Sequence, residues 1–376
     1  QWTQHPFTLK VLGDEAFCEG VNKLVFHTYA HQPYPELKPG FTMGRWGMHN
    51  HSGNTWWDGP VEAWLDYISR SQYLLQEGRF HADILAFLGE EVPARLGRRE
   101  EFTPAIPGGY DFDGCDFQAL LEARVEDGEL VLPSGMRYKV LLLPHKDRMR
   151  LAVAERIVEL VRAGAVVISP SNPTGSPSLG EMGDKNRRVR ELVAEYWPEA
   201  GSAGSPREGK VMAAGDDLGE LLEELGLGPD FSYGSDGGLD VRYIHRIVGD
   251  HDVYFVSSQQ NRDVTFDAVF RQTAGRKVSL WDPATGRRSL PREVASQGNE
   301  AMQVALDLGP HGSVFVVFSD RDVDAEPPLV VSDARPVEGP WELRFPEGLG
   351  APAKPLVLDE LMDWSQHDEF GVRHFS

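Results

Sequence analysis

The chain has 376 residues, a formal net charge of -21 and two cysteines, Cys18 and Cys115. This length exceeds one ordinary core and predicts two or three domains. The negative charge argues against a nucleic-acid partner, because phosphate-backbone binding needs clustered Lys and Arg. Two cysteines are too few for a disulfide framework. They could be free thiols or form a single bridge, and we favour the interpretation that they are buried and have no function.

The first predicted elements are two helices separated by a strand and a loop. Residues 8–20 place apolar side chains at helical spacing and end at Gly20, and residues 61–78 do the same and end at Gly78. Between them, VNKLVFHTYA is a run of strand length. Because helix, strand, loop and helix repeat in α/β folds, residues 1–78 are predicted to form the end of a (β/α) barrel.

Residues 79–238 are predicted to form a flavodoxin-like or amidotransferase-like α/β domain. HADILAFLGE, YKVLLLPH and GAVVISPSN are continuous apolar runs typical of a parallel sheet that is buried on both faces. The segment lacks the Gly-x-Gly-x-x-Gly fingerprint and a phosphate loop, so nucleotide binding is not expected. It also lacks a Gly-x-Ser-x-Gly nucleophile elbow.

The remaining sequence is β-rich. Residues 239–330 contain short runs of alternating apolar and polar residues joined by turn signals, which predict an antiparallel β-sandwich. Residues 331–376 are predicted to begin a further, truncated β-domain. The chain opens at Gln1 in a stretch typical of the middle of a domain, and we expect a fragment of a longer polypeptide. No run of about 18 apolar residues is present, so no membrane partner is expected.

The most unusual stretch is GRWGMHNHSGNTWW, residues 44–57. Neither a period of two nor one of 3.6 separates its aromatic side chains from its polar ones, which indicates a shaped loop. In the preceding FHTYAH, alternate positions would share one face of a strand. The residues predicted to contact a ligand are His27, Tyr29, His31, Arg45, Trp46, His49, Asn50, Trp56 and Trp57.

Three interpretations of these residues are open. A zinc site could draw on the four histidines between positions 27 and 51, but no recognisable zinc-binding spacing is present. The histidines could be structural, and the paired indoles could pack at the helix entrance. A sugar pocket accounts best for the mixture, because a pyranose offers an apolar face to aromatic rings and hydroxyl groups to polar side chains.

The sequence also resembles a known family. HTYAHQP and PGFTMGRWG, with WLDYISRSQYLLQEGRFHADILAFLGE and IHRIVGDHDVYFVSSQ, are similar to glycoside hydrolase family 106, the α-L-rhamnosidases. The resemblance implies inverting hydrolysis of terminal α-L-rhamnosides in a rhamnose-containing glycan, with Ca2+ near the sugar. MHNHSGN stands where family members often carry an acidic or aromatic loop. A secreted or periplasmic location is an expectation only.

Inverting hydrolysis needs two carboxyl groups about 6.5–9.5 Å apart. Glu15 and Glu19 should share one face of the first helix, but a solvated face is expected there. Glu36 and Asp58 lie in the loop without a feature that marks them as catalytic. We therefore expect the acid and base to precede Gln1, which leaves the catalytic residues unknown and this chain inert alone.

Two alternatives to a hydrolase of this kind are a non-catalytic carbohydrate-binding or scaffold protein and a metal-dependent hydrolase that uses the histidines.

A second polar cluster, GGYDFDG with Asp111, Asp113 and the following Asp116, lacks the twelve-residue calcium-loop pattern. It is predicted to be a turn between layers.

Overall fold

The computed structural model describes residues 5–27, 30–34, 36, 41, 61–177, 182–198, 209–234, 238–328, 335–348 and 350–373. In this part of the chain, no helix is both long enough and apolar enough to cross a bilayer. The helices are α1 (Pro6–Cys18), α2 (Val61–Gln76), α3 (Phe117–Glu122), α4 (Leu151–Arg162), α5 (Met182–Tyr196), α6 (Leu218–Glu224) and α7 (Phe370–Arg373), with short 3-10 turns at Arg99–Glu101 and Trp364–Gln366.

The strands are distributed over five sheets. In chain order they are β1 (Arg79–Phe80), β2 (Ile84–Phe87), β3 (Phe112–Cys115), β4 (Arg124–Glu126), β5 (Glu129–Val131), β6 (Arg137–Tyr138), β7 (Val140–Leu142), β8 (Val166–Ser169), β9 (Met212–Ala213), β10 (Phe231–Tyr233), β11 (Val241–Val248), β12 (His251–Ser258), β13 (Val264–Phe270), β14 (Lys277–Trp281), β15 (Arg288–Ser289), β16 (Val294–Gln297), β17 (Ala301–Leu308), β18 (Ser313–Ser319), β19 (Trp341–Leu343) and β20 (Leu356–Leu358).

A five-stranded parallel sheet lies at the centre of the α/β part, in the order β3-β2-β7-β8-β9. This is the flavodoxin-type order, in which the chain moves to one side of its first strand and then continues on the other side. Strands β2 and β7 are buried along their whole length, as their continuous apolar sequences predict. Helix α4 covers one face of the sheet through Val153, Ile157 and Val161, whereas α6 covers the opposite face.

Two antiparallel sheets enclose a second core. One has the order β1-β11-β12-β18-β14-β15 and the other the order β10-β13-β17-β16. Tyr254 and Phe318 from the first sheet meet Phe270 and Leu306 from the second, and all four side chains are buried. Strand β13 alternates buried and exposed residues, as expected for a strand with one face on this core.

Helices α1 and α2 cover the outer face of the six-stranded sheet. Phe17 of α1 and Trp64 of α2 pack with Phe255 and Phe315, and the rings of Phe17 and Phe255 meet edge to face at 5.9 Å. The chain leaves α2 through Gly78, where φ is +60° and an added Cβ would lie 2.0 Å from the carbonyl oxygen of Ile247. Only glycine fits there, because strand β1 must enter the sheet beside β11.

The described residues form a mixed α/β structure with several antiparallel sheets. Both N-terminal helices and the predicted parallel strands are confirmed. The strand predicted at VNKLVFHTYA is wrong for residues 21–27, which have no regular secondary structure. No described strand pairs with residues 21–27, and a single extended run cannot form a ladder without a partner. The predicted domain boundaries and the barrel stay predictions.

Both cysteines are free thiols, and Cys115 is buried as expected. Cys18 is partly buried. Burial raises the pKa of the Cys115 thiol to about 12 and raises that of Cys18 as well. Since the thiolate is the reactive form, neither side chain is suited to nucleophilic chemistry.

Candidate functional site

The segment that follows α1 carries two of the residues predicted to contact a sugar. His27 and His31 are both exposed. Next to His27, the ring of Phe26 stacks on that of Trp64 with centroids 5.5 Å apart, which holds the segment against α2. Gln32 then donates from Nε2 to the carbonyl oxygen of Phe41 at 2.8 Å and accepts from the Phe41 amide at 2.7 Å. Both histidines are therefore presented to solvent from an anchored segment.

The other predicted contact residues lie outside the described residues. These are Tyr29, Arg45, Trp46, His49, Asn50, Trp56 and Trp57. The prediction that the histidines and indoles surround one sugar ring stays a prediction. Because residues 21–27 form no strand, the alternating-face reasoning does not apply to His27.

A buried polar network lies where the parallel sheet meets the antiparallel sheets. Arg271 follows β13 and donates from Nη2 to both carboxyl oxygens of Asp83, each at 2.8 Å. Asp83 directly precedes β2, and the Arg271 Nη1 donates to the carbonyl oxygen of Gly228 at 2.7 Å. The same Nη2 lies 3.4 Å from His81 Nε2 and 3.6 Å from Asp230 Oδ1. One guanidinium thus joins three segments that are distant in sequence.

His245 of β11 occupies the middle of the network between two carboxylates. Its Nδ1 lies 3.0 Å from Asp230 Oδ2, and its Nε2 lies 2.8 Å from Asp252 Oδ1. Burial alone would lower the pKa of His245, but these two carboxylates raise it to about 9. Burial alone would raise the pKa of Asp230 and Asp252, yet the positive charge of His245 holds both below their usual values. The His245 side chain is therefore an imidazolium at neutral pH.

Among the described residues, His81, Asp230 and His245 place potential metal ligands within 4.8 Å of one another. Two features argue against a metal there. Both ring nitrogens of His245 already face carboxylates, and the Arg271 guanidinium provides the positive charge that Asp83 and Asp230 require. Calcium prefers oxygen ligands, whereas this group is rich in nitrogen. The cluster fits a structural role and does not fit the calcium ion that the resemblance implies.

The turn predicted for the second polar cluster is wrong for Phe112–Cys115, which form strand β3 at the edge of the parallel sheet, and the acids there have separate structural roles. Asp113 accepts a hydrogen bond from the hydroxyl of Tyr138 at 2.8 Å, and Asp116 caps the N-terminus of α3 by accepting from the Ala119 amide at 2.8 Å. Burial raises the pKa of Asp111 to about 8, although Arg99, 4.0 Å away, opposes the shift. The carboxylates do not converge on a common point that would suit a cation.

The sequence of this chain matches the family model of glycoside hydrolase family 106, alpha-L-rhamnosidase, over residues 1–291. The chain belongs to glycoside hydrolase family 106. The match includes the two N-terminal helices, the segment between them, the parallel sheet and the polar network. It confirms the resemblance drawn from HTYAHQP and PGFTMGRWG.

Two relatives extend the comparison for this family 106 chain. A solved rhamnosidase from Novosphingobium sp. PP1Y is 31% identical with a TM-score of 0.83, and the match covers 100% of this chain and 36% of that one. A protein of Formosa agariphila named "Putative beta-glucuronidase" is 31% identical over 339 residues, which are 90% of this chain and 27% of that protein. The family 106 chain therefore spans well under half the length of both relatives.

A more distant likeness concerns the fold alone. Gan42B, a GH42 β-galactosidase from G. stearothermophilus, is 12% identical with a TM-score of 0.51, and the match covers 84% of this chain and 51% of that one. At this identity the comparison shows that the family 106 chain shares an arrangement of helices and sheets with that enzyme.

Several described carboxyl groups of this family 106 chain are held in ion pairs, and another lies exposed on the segment after α1. Glu15 lies on α1 and Glu19 directly follows its last residue, and both face Arg242 of β11, at 2.8 Å and 3.9 Å from its Nη1. Asp83 and Asp230 are about 1–2% exposed and engaged with Arg271, so a sugar cannot reach them. Glu36 is exposed in the loop, and Asp58 lies outside the described residues.

The sequence interpretation missed the polar network. One signal was available, because His245 interrupts the otherwise apolar centre of VRYIHRIV, and Asp83 interrupts HADILAF. Polar residues at such positions must find buried partners. Their partners, Asp230 and Arg271, follow from no sequence spacing and required the tertiary structure.

Proposed function

We propose that this chain supplies part of the sugar site of an inverting glycoside hydrolase that removes terminal α-L-rhamnosyl residues from a rhamnose-containing glycan. The observation that carries the proposal is the family 106 match over residues 1–291, together with the likeness of the whole chain to a solved rhamnosidase. In the proposed arrangement, residues 1–78 complete a (β/α) barrel, a flavodoxin-like or amidotransferase-like domain follows, and the antiparallel sheets form a β-sandwich.

The proposed site consists of residues between α1 and α2 whose side chains suit a sugar. His27, His31, Arg45, His49 and Asn50 would exchange hydrogen bonds with hydroxyl groups. Four aromatic residues would stack on the apolar face of the ring, and these are Tyr29, Trp46, Trp56 and Trp57. The exposure of both described histidines supports this assignment.

The two catalytic carboxyl groups are proposed to come from residues that precede Gln1. Inverting hydrolysis needs one protonated acid and one carboxylate that activates water, about 6.5–9.5 Å apart. Glu15, Asp83 and Asp230 are engaged in ion pairs, which supports this proposal. On the basis of the family resemblance, we also propose that a Ca2+ ion lies near the sugar and that the protein is secreted or periplasmic. Removal of calcium with a chelator should lower activity, and re-addition should restore it.

The test uses the full-length natural protein and an aryl α-L-rhamnoside. NMR of the first-formed sugar should show the inverted anomer, and His27→Ala should raise KM by about tenfold, the effect of losing one or two hydrogen bonds to the sugar. His367→Ala is the matched control, because His367 lies in the C-terminal segment next to the turn Trp364–Gln366. Sugar binding without any turnover would instead favour the non-catalytic carbohydrate-binding alternative.

A further inference from the structure

The parallel sheet has one position where the chain reverses direction across the sheet. From β2 the chain passes to β3 on one side, and it later returns to β7 on the other side. In open α/β sheets, ligands bind in the crevice outside the carboxyl ends of the two strands at such a point. The crevice here lies beyond Phe87, the last residue of β2, and Leu142, the last residue of β7.

Two adjoining cavities occupy this crevice. Their volumes are about 700 Å³ and about 550 Å³, and both are lined by Phe87, Pro144 and Lys146. These volumes are within the usual range for small-molecule sites. The position expected from strand order therefore coincides with open space of suitable size.

The wall of the larger cavity is held in place by hydrogen bonds between the loops after β7 and β8. The Lys146 amide donates to Ser171 Oγ at 3.0 Å, and that hydroxyl donates to the Lys146 carbonyl oxygen at 2.9 Å. The Met149 amide donates to the carbonyl oxygen of Gly175 at 3.0 Å. A site whose walls are fixed before binding loses less conformational entropy when a ligand enters.

The charges around the larger cavity balance. Three cations, Lys146, Arg148 and Arg150, face three acids, Glu90, Glu91 and Asp147. Lys146 Nζ lies 2.7 Å from Glu91 Oε2, and the Arg150 amide donates to Glu90 Oε2 at 2.8 Å.

The three acids would repel an anionic ligand, and the three cations would repel a cationic ligand. A neutral ligand with many hydroxyl groups can donate to the carboxylates and accept from Lys146 and the guanidinium groups. Phosphate groups are disfavoured by Glu90 and Glu91, which follow β2 almost immediately.

We propose that this cavity, defined by Phe87, Glu91, Pro144 and Lys146, is a second carbohydrate site that binds a neutral oligosaccharide segment. The site lies in the α/β part and contains none of the residues assigned to the catalytic sugar site. The choice of sugar rests on the proposed function, since the natural ligand would be another part of the same glycan. The site would retain a polymer while the terminal residue is cleaved elsewhere.

The test titrates this chain with a neutral rhamno-oligosaccharide and with an oligogalacturonate of equal length, followed by amide NMR. The neutral sugar should shift amides in residues 87–91 and 144–150. The double variant Glu91→Ala, Lys146→Ala should bind it about tenfold more weakly, because one donor and one acceptor are lost. The Glu91 side chain is 74% exposed and that of Lys146 is 43% exposed, so folding should be retained; Glu91→Gln is the milder variant if it is not.

The matched control is Lys277→Ala, Asp322→Ala. This pair also joins an exposed lysine to an exposed acid, at 3.4 Å, but lies on β14 and the segment beyond β18. The control should bind as the unmodified chain does. The proposal is overturned if the neutral sugar shifts no amide of the cavity, if the acidic sugar binds there more tightly, or if both double variants bind equally. Hydrolysis of the aryl rhamnoside by the full-length protein is measured separately. Failure of the second carbohydrate site can therefore be distinguished from failure of the proposed hydrolase function.

Discussion

Replacing Arg271 by glutamine tests whether the buried network joins the parallel sheet to the antiparallel sheets. The substitution removes the cation that donates to both oxygens of Asp83, and it leaves that buried carboxylate without a compensating charge, whereas the neighbouring Asp230 still faces His245. We expect a large loss of stability in the parallel sheet and in the six-stranded antiparallel sheet. The decrease in the free energy of unfolding should greatly exceed the contribution of a surface ion pair.

The magnitude follows from burial. The side chain of Asp83 is 1% exposed and that of Asp230 is 2% exposed, so water cannot replace the missing guanidinium. Removing one partner of a buried pair costs about 3–5 kcal/mol. An exposed pair is worth less than about 1 kcal/mol. Adding Asp83→Asn to Arg271→Gln should recover more than about 1 kcal/mol, because the uncompensated charge is then removed.

The assay is urea denaturation followed by circular dichroism, combined with hydrogen exchange of the amides in β2 and β11. Arg187→Gln is the control, since Arg187 is 65% exposed and pairs with Asp184 on the surface of α5 at 2.9 Å. Exchange should accelerate in both strands for Arg271→Gln and in neither for the control. If Arg271→Gln and Arg187→Gln lowered the free energy of unfolding equally, the network would not join the two parts.

Three further predictions concern pH, the core and a helix cap. Stability should fall between about pH 6.5 and pH 9, because the folded pKa of His245, about 9, lies above its unfolded value of about 6.5. Its contribution, at most roughly 3 kcal/mol, is complete below the lower value and lost above the upper one; pH-dependent melting should show this decline in the natural chain and a flatter curve in His245→Gln. Ile157→Ala removes a fully buried side chain of α4 and should cost about 2–5 kcal/mol in urea denaturation, whereas an unchanged midpoint would contradict the packing described for the parallel sheet. Asp217→Ala removes the carboxylate that accepts from the amides of Gly219 and Glu220 at the start of α6 and should cost about 1 kcal/mol, measured as a lower melting temperature, with Asp217→Asn close to the natural value.

The sequence predicts the parallel sheet well, for a physical reason. A strand buried on both faces needs a continuous apolar run, and ILAF, VLL and VVIS supply it without reference to distant residues. Helix α4 likewise carries a periodic stripe and ends before Gly164, whose φ of +102° closes the helix. Such elements are encoded locally.

The strand predicted at residues 21–30 shows where local reasoning stops. Its composition suits a strand, but a strand exists only where another one pairs with it. The same limit applies to the network, because Arg271 lies 188 residues from Asp83. No spacing in the sequence connects them. What the sequence identifies correctly, through HTYAHQP and PGFTMGRWG, is the family.

The position of the proposed sugar site depends on a buried cluster that joins the two flanking helices to β12. Asp14 of α1 is fully buried and accepts hydrogen bonds from Lys10 Nζ at 2.6 Å, from Ser257 Oγ of β12 at 3.1 Å and from the hydroxyl of Tyr67 on α2. Burial raises the pKa of Asp14, and these partners oppose the shift. The two helices are thereby joined to each other and to the six-stranded sheet. Since residues 19–60 begin at one of these helices and end at the other, the sheet fixes both ends of the segment that carries His27, and a site on such supports needs less reordering when a sugar binds.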